Sequence, residues 1–558
     1  MNKLLIHNDN IAYKKMFEHN IKLPPIENID DNISKNIIPQ IQSSNCDIIF
    51  IKDNLSSNYL ELYGFRVAYH IRLSEELGDK RYLPIVILSD VDSYILNKIE
   101  PLSRILSTKN IFLEQNHPKT VKLYDNYDLK PLHVNEYKAE FLDKIQVEQP
   151  KDYLTHHSIA NEWAMHRWSE YLEVTTDDVK KVNEKISSML YFKYLKAKFP
   201  IKKSQFKKHQ REITEAGKIL YIDDEWAKGW GNILKSLHSD LHVVEEKYKD
   251  KTREEIIEFV LKRVNKVNPD LVILDMRLHE DDFKEDTHLD EFTGMQIFQK
   301  IKEINEGIQF IIFTASSNSL LLDEIQSYDT NILSYIKKEH PDDSNIGTQE
   351  NINKLISKTN EGLKKKYLKE IWTTKKEIKN ILQSNPFSQY ITNLSQYEIN
   401  LGKLKRENEN IFGILNSDKS NRFNYAMVSI ATSLEAIVNI LLNKKNSELF
   451  FWDGEKTYLN DRSRLEDKVK KIVKKLGYKE EIDLSILISV RNYYMHSNEK
   501  FNDVKKTDIN DWFKCLLQII KVIDTPPNYI KYDIENLEVE ENVITKGGLK
   551  IKKRTRAR

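Results

Sequence analysis

Little in this sequence points to secretion, a membrane or a disulfide framework. Its only two cysteines, Cys46 and Cys515, lie far apart between apolar residues, which is typical of buried thiols in a reducing cytoplasm. No apolar run approaches the roughly 20 residues that span a bilayer. The first residues, MNKLLIHNDNIAYKK, are too polar for a signal peptide. We therefore expect a cytoplasmic protein that has no membrane partner.

The chain also lacks an excess of charge of either sign. It has 86 basic and 85 acidic side chains, which leave a net charge of +1. No overall field would therefore draw nucleic acid or a membrane surface to it. A helix-turn-helix with basic recognition residues is not evident, so promoter binding is not the expected function. At 558 residues the chain is long enough for roughly three to five domains.

Two segments of the chain alternate short apolar runs with amphipathic stretches. The first spans residues 4 to about 114 and the second 219 to about 338. This alternation predicts, in each copy, a doubly wound, five-stranded parallel sheet with helices on both faces, an α/β fold. The apolar runs are LLI (4–6), DIIFI (47–51), IVIL (85–88) and NIFL (110–113), then ILYI (219–222), LVIL (271–274), FIIF (310–313) and ILSYI (332–336).

The segments outside these copies carry helical patterns. Residues such as Ile159, Trp163 and Trp168 recur at helical spacing after the first copy. A Lys/Glu/Asn-rich stretch after the second copy favours exposed, coiled-coil-like helices that break at Pro386, and more apolar helices follow. The predicted segments are 1–116 (first copy), 117–217 (helical connector), 218–342 (second copy), 343–418 (helical, coiled-coil-like stalk), 419–525 (helical bundle) and 526–558 (polar, basic tail).

Charged and hydroxyl side chains follow the strands of the second copy. Asp223 and Asp224 come after its first strand, Asp275 after the next, Thr314 after the next and Lys338 after the last. In an open α/β sheet these positions meet at one edge. Three carboxylates there would repel one another unless a hard cation such as Mg²⁺ bound among them. We expect Asp275 to attack a phosphoryl group, whose oxygens the metal, the lysine and the threonine would hold.

These residues carry a family resemblance. The motifs IDDE (222–225), DLVILDMRL (270–278), FTGMQI (292–297), FTAS (313–316) and YIKK (335–338) resemble the receiver domain of two-component response regulators. The resemblance implies a flavodoxin-like fold and phosphorylation by a sensor histidine kinase or a small phosphodonor. It also implies that Asp224 and Asp275 bind Mg²⁺ directly, Asp223 through water and Arg277 through its carbonyl, with Thr314 and Tyr335 as a switch pair.

Two departures from the receiver pattern concern the surface rather than the chemistry. The stretch HEDDFKEDTHLDEF (279–292) after the acceptor is longer and more acidic than usual. Glu339 replaces the usual proline after the lysine. Both put the shape of the output face in question.

The first copy has the frame of a receiver without its chemistry. Asn8 and Asp9 stand where the acidic pair belongs, and Lys52 occupies the acceptor position with Asp53 one residue late. Ser89 can replace the threonine, but Gln115 stands in the place of the lysine. We predict a pseudo-receiver that binds a partner or dimerises; the alternative is an active site that uses Asp53.

Near the C-terminus, ISVRNYYMHSN (488–498) is the second sharp motif. Arg491 and His496 are five residues apart, about 140° around a helix, so they would converge only at a helix end or across a dimer. The segment resembles the R-x4–6-H motif of HEPN domains. That resemblance implies a metal-independent RNA-cleaving site of Arg491, Asn492 and His496 in a homodimer, with Glu435 in support. The basic end KIKKRTRAR could hold RNA phosphates, but such tails are more often simply solvated. A HEPN fold that binds without cutting stays open.

Histidines of the connector allow a further reading. The stretch THHSIANEWAMHRW (155–168) places His156, His157 and His166 beside tryptophans, where packing is the expected role. Three hypotheses result. The first is a phosphorylation-controlled ribonuclease, which by analogy would act in stress or anti-phage defence. The second is a non-enzymatic signalling adaptor, and the third is a phosphorelay intermediate that uses His157 or His496.

Overall fold

The computed structural model describes most of the chain. The described residues are 2–9, 11–23, 28–58, 61–150, 156–201, 212–284, 287–315, 329, 331–341, 347–417, 419–477, 481–482, 504–525, 540–545 and 548–553. Short 3-10 helices occur at Lys14–Met16, Glu75–Tyr82, Pro101–Ser107, Tyr124–Asn126, Val134–Glu136, Trp226–Lys228, Glu280–Phe283, Leu289–Glu291 and Ser388–Tyr390, and π-helical turns at Ile33–Ile37 and Lys138–Leu142.

The first copy is a five-stranded parallel sheet in the order β2-β1-β3-β4-β5. Its strands β1, β3 and β4 are buried along their whole length, as their apolar sequences predict. The strands are Lys3–His7 (β1), His19–Lys22 (β2), Ile48–Lys52 (β3), Ile85–Ser89 (β4) and Ile111–Gln115 (β5), and the helices are Ile29–Asn32 (α1), Ile38–Ser43 (α2), Tyr63–Leu73 (α3), Ser93–Ile99 (α4) and Pro118–Leu123 (α5). The predicted fold of this copy is confirmed.

In the described part of the connector, three α-helices lie between the two copies. They are His156–Leu172 (α6), Asp177–Ser188 (α7) and Leu190–Lys198 (α8). Helix α8 packs on α3 of the first copy, while α6 packs on helices of the second. Apolar side chains of both copies and of the connector therefore belong to one continuous hydrophobic core.

The second copy repeats the strand order, as β7-β6-β8-β9-β10, again all parallel. Helices α10 and α11 cover one face of this sheet, and residues of α6, α9 and α12 cover the other. The elements are Ile219–Ile222 (β6), Trp230–Lys235 (α9), Leu241–Val243 (β7), Arg253–Val267 (α10), Leu271–Leu274 (β8), Thr293–Ile304 (α11), Gln309–Thr314 (β9), Ile332–Lys337 (β10) and Thr348–Lys364 (α12).

The stretch predicted as an exposed stalk is divided between two cores. In α12, Ile352, Leu355 and Leu363 are buried against the second sheet. Helices Leu368–Gln383 (α13) and Leu394–Asn416 (α14), on either side of Pro386, pack instead with Arg422–Leu441 (α15) and Lys506–Asp524 (α17). The coiled-coil prediction is therefore wrong for residues 347–417, because their apolar positions are covered by other parts of the chain.

The C-terminal unit is not all helical, which corrects the predicted bundle. After α15 an antiparallel sheet is formed by Leu442–Lys445 (β11), Glu448–Phe451 (β12) and Lys456–Asn460 (β13). The turn residues Asn446 and Ser447 both have positive φ, as a two-residue hairpin requires. Helix Leu465–Lys475 (α16) follows, and a further small sheet contains Glu481–Ile482 (β14), Glu540–Thr545 (β15) and Gly548–Lys553 (β16).

Among the helices that the structure describes, α15 alone is long and apolar enough to cross a membrane by length and composition. Most of it is buried against the neighbouring helices of the same unit. Sequence composition alone thus fails to exclude a membrane span, and the burial of α15 is what indicates a core helix.

Candidate functional site

The carboxyl edge of the second sheet brings three charged side chains into direct contact. Asp223 follows β6, Asp275 follows β8 and Lys338 follows β10. The Lys338 ammonium donates to Asp223 Oδ2 at 2.7 Å and to Asp275 Oδ2 at 2.9 Å. All three side chains are buried. A buried lysine thus bridges two buried carboxylates. Aspartates that only capped turns at the surface would be solvated and would not require such a partner.

A third carboxylate makes this cluster suitable for a metal ion. Asp224 is exposed, and one of its oxygens lies within 4.8 Å of oxygens of Asp223 and Asp275. Although the residue as a whole is exposed, desolvation of its carboxyl group and the charges of Asp223 and Asp275 raise the pKa of Asp224 to about 8. Burial raises the pKa of Asp275 although Lys338 lowers it, so proton or cation uptake is favoured here. Oxygen ligands of net negative charge are what Mg²⁺ prefers.

Backbone and side-chain donors orient the two buried carboxylates. Asp223 accepts the Tyr221 hydroxyl at 2.5 Å and the backbone N–H of Glu225 at 2.7 Å. Asp275 Oδ1 accepts the N–H of Arg277 at 3.3 Å. These hydrogen bonds therefore fix the orientation of both carboxylates.

The acidic stretch after Asp275 has a structural carboxylate of its own. Asp282 is fully buried and accepts the backbone N–H groups of Leu278 and His279 at 2.9 and 3.0 Å. It also accepts the Thr293 hydroxyl at 3.0 Å and Arg253 Nη2 at 2.9 Å. Asp282, one of the acidic residues of this stretch, thus stabilises the loop that follows Asp275 and contributes no ligand to the site.

The predicted switch residues lie on neighbouring strands. Thr314 is buried at the end of β9, and its carbonyl accepts the N–H of Lys338 at 2.7 Å. Tyr335 is half-buried on β10, and the ammonium of Lys354 on α12 lies 4.5 Å from its ring centroid. Tyr335 is therefore linked to the helix that follows the sheet, and Thr314 to the lysine of the site.

Two equivalent glycines show which positions of the first and second copies correspond. A Cβ at Gly294 would lie 2.6 Å from Met276 Cα, and one at Gly64 would lie 2.8 Å from Asp53 Cα. Each glycine lets a helix start approach the residue after the acceptor position. This places Lys52 at the position of Asp275, as the sequence predicts.

Strand register corrects two other assignments in the first copy. Ile6 pairs with Ile51 as Ile222 pairs with Leu274, so His7 and Asn8, rather than Asn8 and Asp9, match the acidic pair. The bond from Asp9 N to His7 Nδ1, 2.9 Å long, repeats the bond from Glu225 N to Asp223. Ser89 pairs with Gln115 as Thr314 pairs with Lys337. The position that corresponds to Lys338 is therefore Asn116, not Gln115. The predicted pair was one residue late because β1 includes His7.

The first copy consequently offers different chemistry at this edge. Lys52 Nζ donates to Asn8 Oδ1 at 3.3 Å, and Ser89 Oγ donates to Asp53 Oδ2 at 2.6 Å. The carboxylate of Asp9 pairs instead with Lys14 and Lys22. A histidine, an asparagine and a lysine stand where the second copy has three aspartates, and within the described residues no acidic cluster forms here.

The other predicted residues divide into two groups. Arg491, Asn492 and His496 lie outside the described residues, while Glu435 is half-buried on α15. His157 belongs to α6, and His166 on the same helix is buried with its Nδ1 2.7 Å from Asn183 Oδ1. Burial lowers the pKa of His166 to about 4, as expected for a histidine in a packing role.

Comparison with known proteins supports the assignment of the first copy. Residues 2–114 match a family model described as an inactive receiver domain. A search of curated proteins finds no match. The match covers the sheet in which Lys52 occupies the acceptor position. The N-terminal part of the chain is therefore a receiver-like module, similar to inactive receiver domains, which suggests a signalling role of the response-regulator type.

Proposed function

We propose that the second copy is a working receiver and that Asp275 accepts a phosphoryl group from a sensor histidine kinase or a small phosphodonor. The observation that carries this proposal is the cluster of Asp223, Asp224 and Asp275, whose oxygens approach within 4.8 Å while Lys338 bridges two of them. The chain would be a cytoplasmic regulator with one inactive and one active receiver.

The residues of this edge suit phosphoryl transfer. An oxygen of Asp275 would form the bond to phosphorus while the bond to the donor nitrogen or oxygen breaks and the leaving group keeps the electron pair. Asp223, Asp224, Asp275 and the carbonyl of Arg277 would hold Mg²⁺, which supplies positive charge for the phosphoryl oxygens. In the acyl phosphate the negative charge lies on the phosphoryl oxygens, which would need a cation from the protein beside them.

Lys338 and Thr314 are placed to hold the transferred group. The Lys338 ammonium is already 2.9 Å from Asp275 and would exchange a carboxylate oxygen for a phosphoryl oxygen. Its pKa is raised because Asp223 and Asp275 outweigh the effect of burial, so it stays charged. The Thr314 hydroxyl would donate a further hydrogen bond, and its movement would release the position of Tyr335.

Phosphoryl incorporation tests this proposal. The full chain is incubated with acetyl phosphate and Mg²⁺, and its intact mass is measured. We expect one added phosphoryl group in the wild type and in Asp53→Asn, and none in Asp275→Asn. Incorporation that survives in Asp275→Asn, or that is lost in Asp53→Asn, would assign the acceptor to another residue.

The inactive first copy is proposed to be a binding module. Lys52, His7 and Asn8 replace the three aspartates, so phosphorylation there is not expected to occur. Its sheet is intact, and its helix α3 contacts connector helix α8. It would therefore bind a partner or a second copy of the chain in a homodimer while the second copy receives the signal.

A HEPN-like output at residues 419–525 completes the proposal. Its support is the motif of Arg491, Asn492 and His496 and the helical core that α15, α16 and α17 form. In the dimer, His496 would act as a general base on an RNA 2′-hydroxyl and Arg491 would hold the phosphate.

RNA cleavage by the phosphorylated chain separates this output from an adaptor. We expect His496→Ala to abolish cleavage without changing phosphoryl incorporation. Cleavage that is unchanged in this variant would remove the ribonuclease proposal. The absence of any cleavage, together with a phosphorylation-dependent change of oligomer mass, would favour the adaptor.

A further inference from the structure

Connector helix α6 reaches the lysine end of the second site. Trp168 is buried, and its Nε1–H donates to Glu339 Oε2 at 3.1 Å. Glu339 directly follows Lys338 and is only 2% exposed. Its other oxygen accepts Asn351 Nδ2 of α12 at 3.1 Å. The residue that departs from the receiver pattern is thus held by the connector on one side and by α12 on the other.

An aromatic cluster joins the same tryptophan to the lysine. The Trp168 ring meets Trp230 edge-on at 5.5 Å and Phe313 at 5.4 Å between centroids. The Lys338 ammonium lies 5.1 Å from the Phe313 centroid and 5.5 Å from that of Trp230. Trp168 therefore supports the two rings over which the ammonium is held, within cation–π range.

The burial of Glu339 makes its two neutral donors important. Burial raises the pKa of this carboxyl. A carboxylate buried without hydrogen bonds is costly, so loss of the indole N–H would destabilise its present position. The preceding residue on α6, Arg167, donates from Nε to Thr348 Oγ1, at the start of α12, at 2.8 Å. Two consecutive residues of α6 thus bind Glu339, just after β10, and Thr348, at the start of α12.

We propose that Trp168 is a positioning residue for the Asp275 site and that its bond to Glu339 passes the state of that site to the connector. The proposal rests on the proposed phosphorylation of Asp275. When Lys338 moves from the carboxylates to a phosphoryl oxygen, the peptide that carries Glu339 moves with it. Helix α6 then shifts, and α8, which packs on α3, carries the change to the first copy.

Two variants isolate the hydrogen bond from the packing. Trp168→Phe keeps an aromatic ring but removes the N–H donor. Glu339→Gln keeps an oxygen acceptor for Trp168 and Glu339→Ala removes it. Trp163→Phe is the matched control, because Trp163 lies on the same helix but stacks on Phe192 of α8. Circular dichroism checks that each variant is folded.

The test uses the full chain with Mg²⁺ and beryllium fluoride, which mimics the phosphoryl group. Fluoride-complex affinity is read by titration, and amide hydrogen exchange of α6 and α8 is compared with and without the complex. We expect Trp168→Phe and Glu339→Ala to weaken the complex by about three- to tenfold, as loss of one hydrogen bond of ordinary strength allows. The exchange change in α6 and α8 should also disappear. Trp163→Phe should resemble the wild type, and Glu339→Gln should keep the exchange change because Trp168 still has an oxygen to which it donates.

The outcomes separate this inference from the proposed function. If the wild type binds the complex but Trp168→Phe retains its affinity and the exchange change, the inference is wrong and the receiver proposal stands. If the wild type binds no complex at all, the receiver proposal fails and the inference fails with it.

Discussion

The buried imidazole of His70 is expected to make the first copy sensitive to acid. His70 lies on α3 with no exposed surface, and its Nε2 is 2.9 Å from Asp30 Oδ1. Asp30 also accepts two hydrogen bonds from Arg66, at 2.5 and 2.8 Å, and the N–H of Leu190 on α8 at 2.9 Å. Burial lowers the pKa of His70 to about 4, although Asp30 raises it. Since the imidazole is neutral above this pH, Arg66 is the charged partner of Asp30 at neutral pH.

The size of the effect follows from the two protonation equilibria. Unfolded, His70 has its ordinary pKa of 6.5, so between pH 6.5 and about 4 the unfolded chain binds a proton that the folded chain does not. The free energy of unfolding is therefore fully retained above pH 6.5 and falls as the pH drops toward 4. From pH 7.5 to pH 5 this one group lowers it by about 2 kcal/mol.

Native-state hydrogen exchange of β1 and β3 amides measures this free energy within the full chain. His70→Gln keeps an N–H for Asp30 but cannot titrate in this range, so the wild type should lose about 2 kcal/mol more than the variant between pH 7.5 and pH 5. His133→Gln is the control, because the His133 side chain is exposed and meets similar solvent in both states. An equal loss in the wild type and in His70→Gln would show that protonation of His70 does not cause the acid sensitivity.

Further predictions concern the two sheet edges. The triple variant His7→Asp/Asn8→Asp/Lys52→Asp should give the first copy Mg²⁺-induced amide protection at the ends of β1 and β3. The double variant Asn8→Asp/Lys52→Asp, which keeps His7, should show far less protection. Equal protection in the two variants would contradict the alignment of His7 with Asp223. In the second copy, Gly294→Ala should abolish phosphoryl incorporation, because a Cβ there would lie 2.6 Å from Met276 Cα, and unchanged incorporation measured by intact mass would show that the loop can yield.

The sequence predicts most strands because burial leaves a strong apolar signal. The runs that form β1, β3 and β4, and β8 and β9, are continuously apolar and are fully buried. Strands β2 (HNIK) and β7 (LHV) were not among the predicted runs, since they are short and carry polar residues. The five-stranded sheets were still predicted because the remaining strands alternate with helices.

Strand register and long-range contacts could not be predicted from the sequence. His7 reads as the start of a loop but ends β1, which shifted the predicted pair by one residue. Helix α12 reads as an exposed stalk because most of its residues are polar, while a few apolar ones dock on the sheet. Trp168 and Glu339 are 171 residues apart, and no local pattern relates them.

We propose above that Asp275, between Asp223 and Lys338, accepts a phosphoryl group beside a divalent cation. A crystal structure of the full chain with Mg²⁺ and beryllium fluoride tests it most directly. We expect beryllium fluoride bonded to an oxygen of Asp275, a cation among the three aspartates and the Lys338 ammonium moved onto a fluoride. A structure in which Lys338 still bridges Asp223 and Asp275, with neither metal nor fluoride beside them, would contradict it.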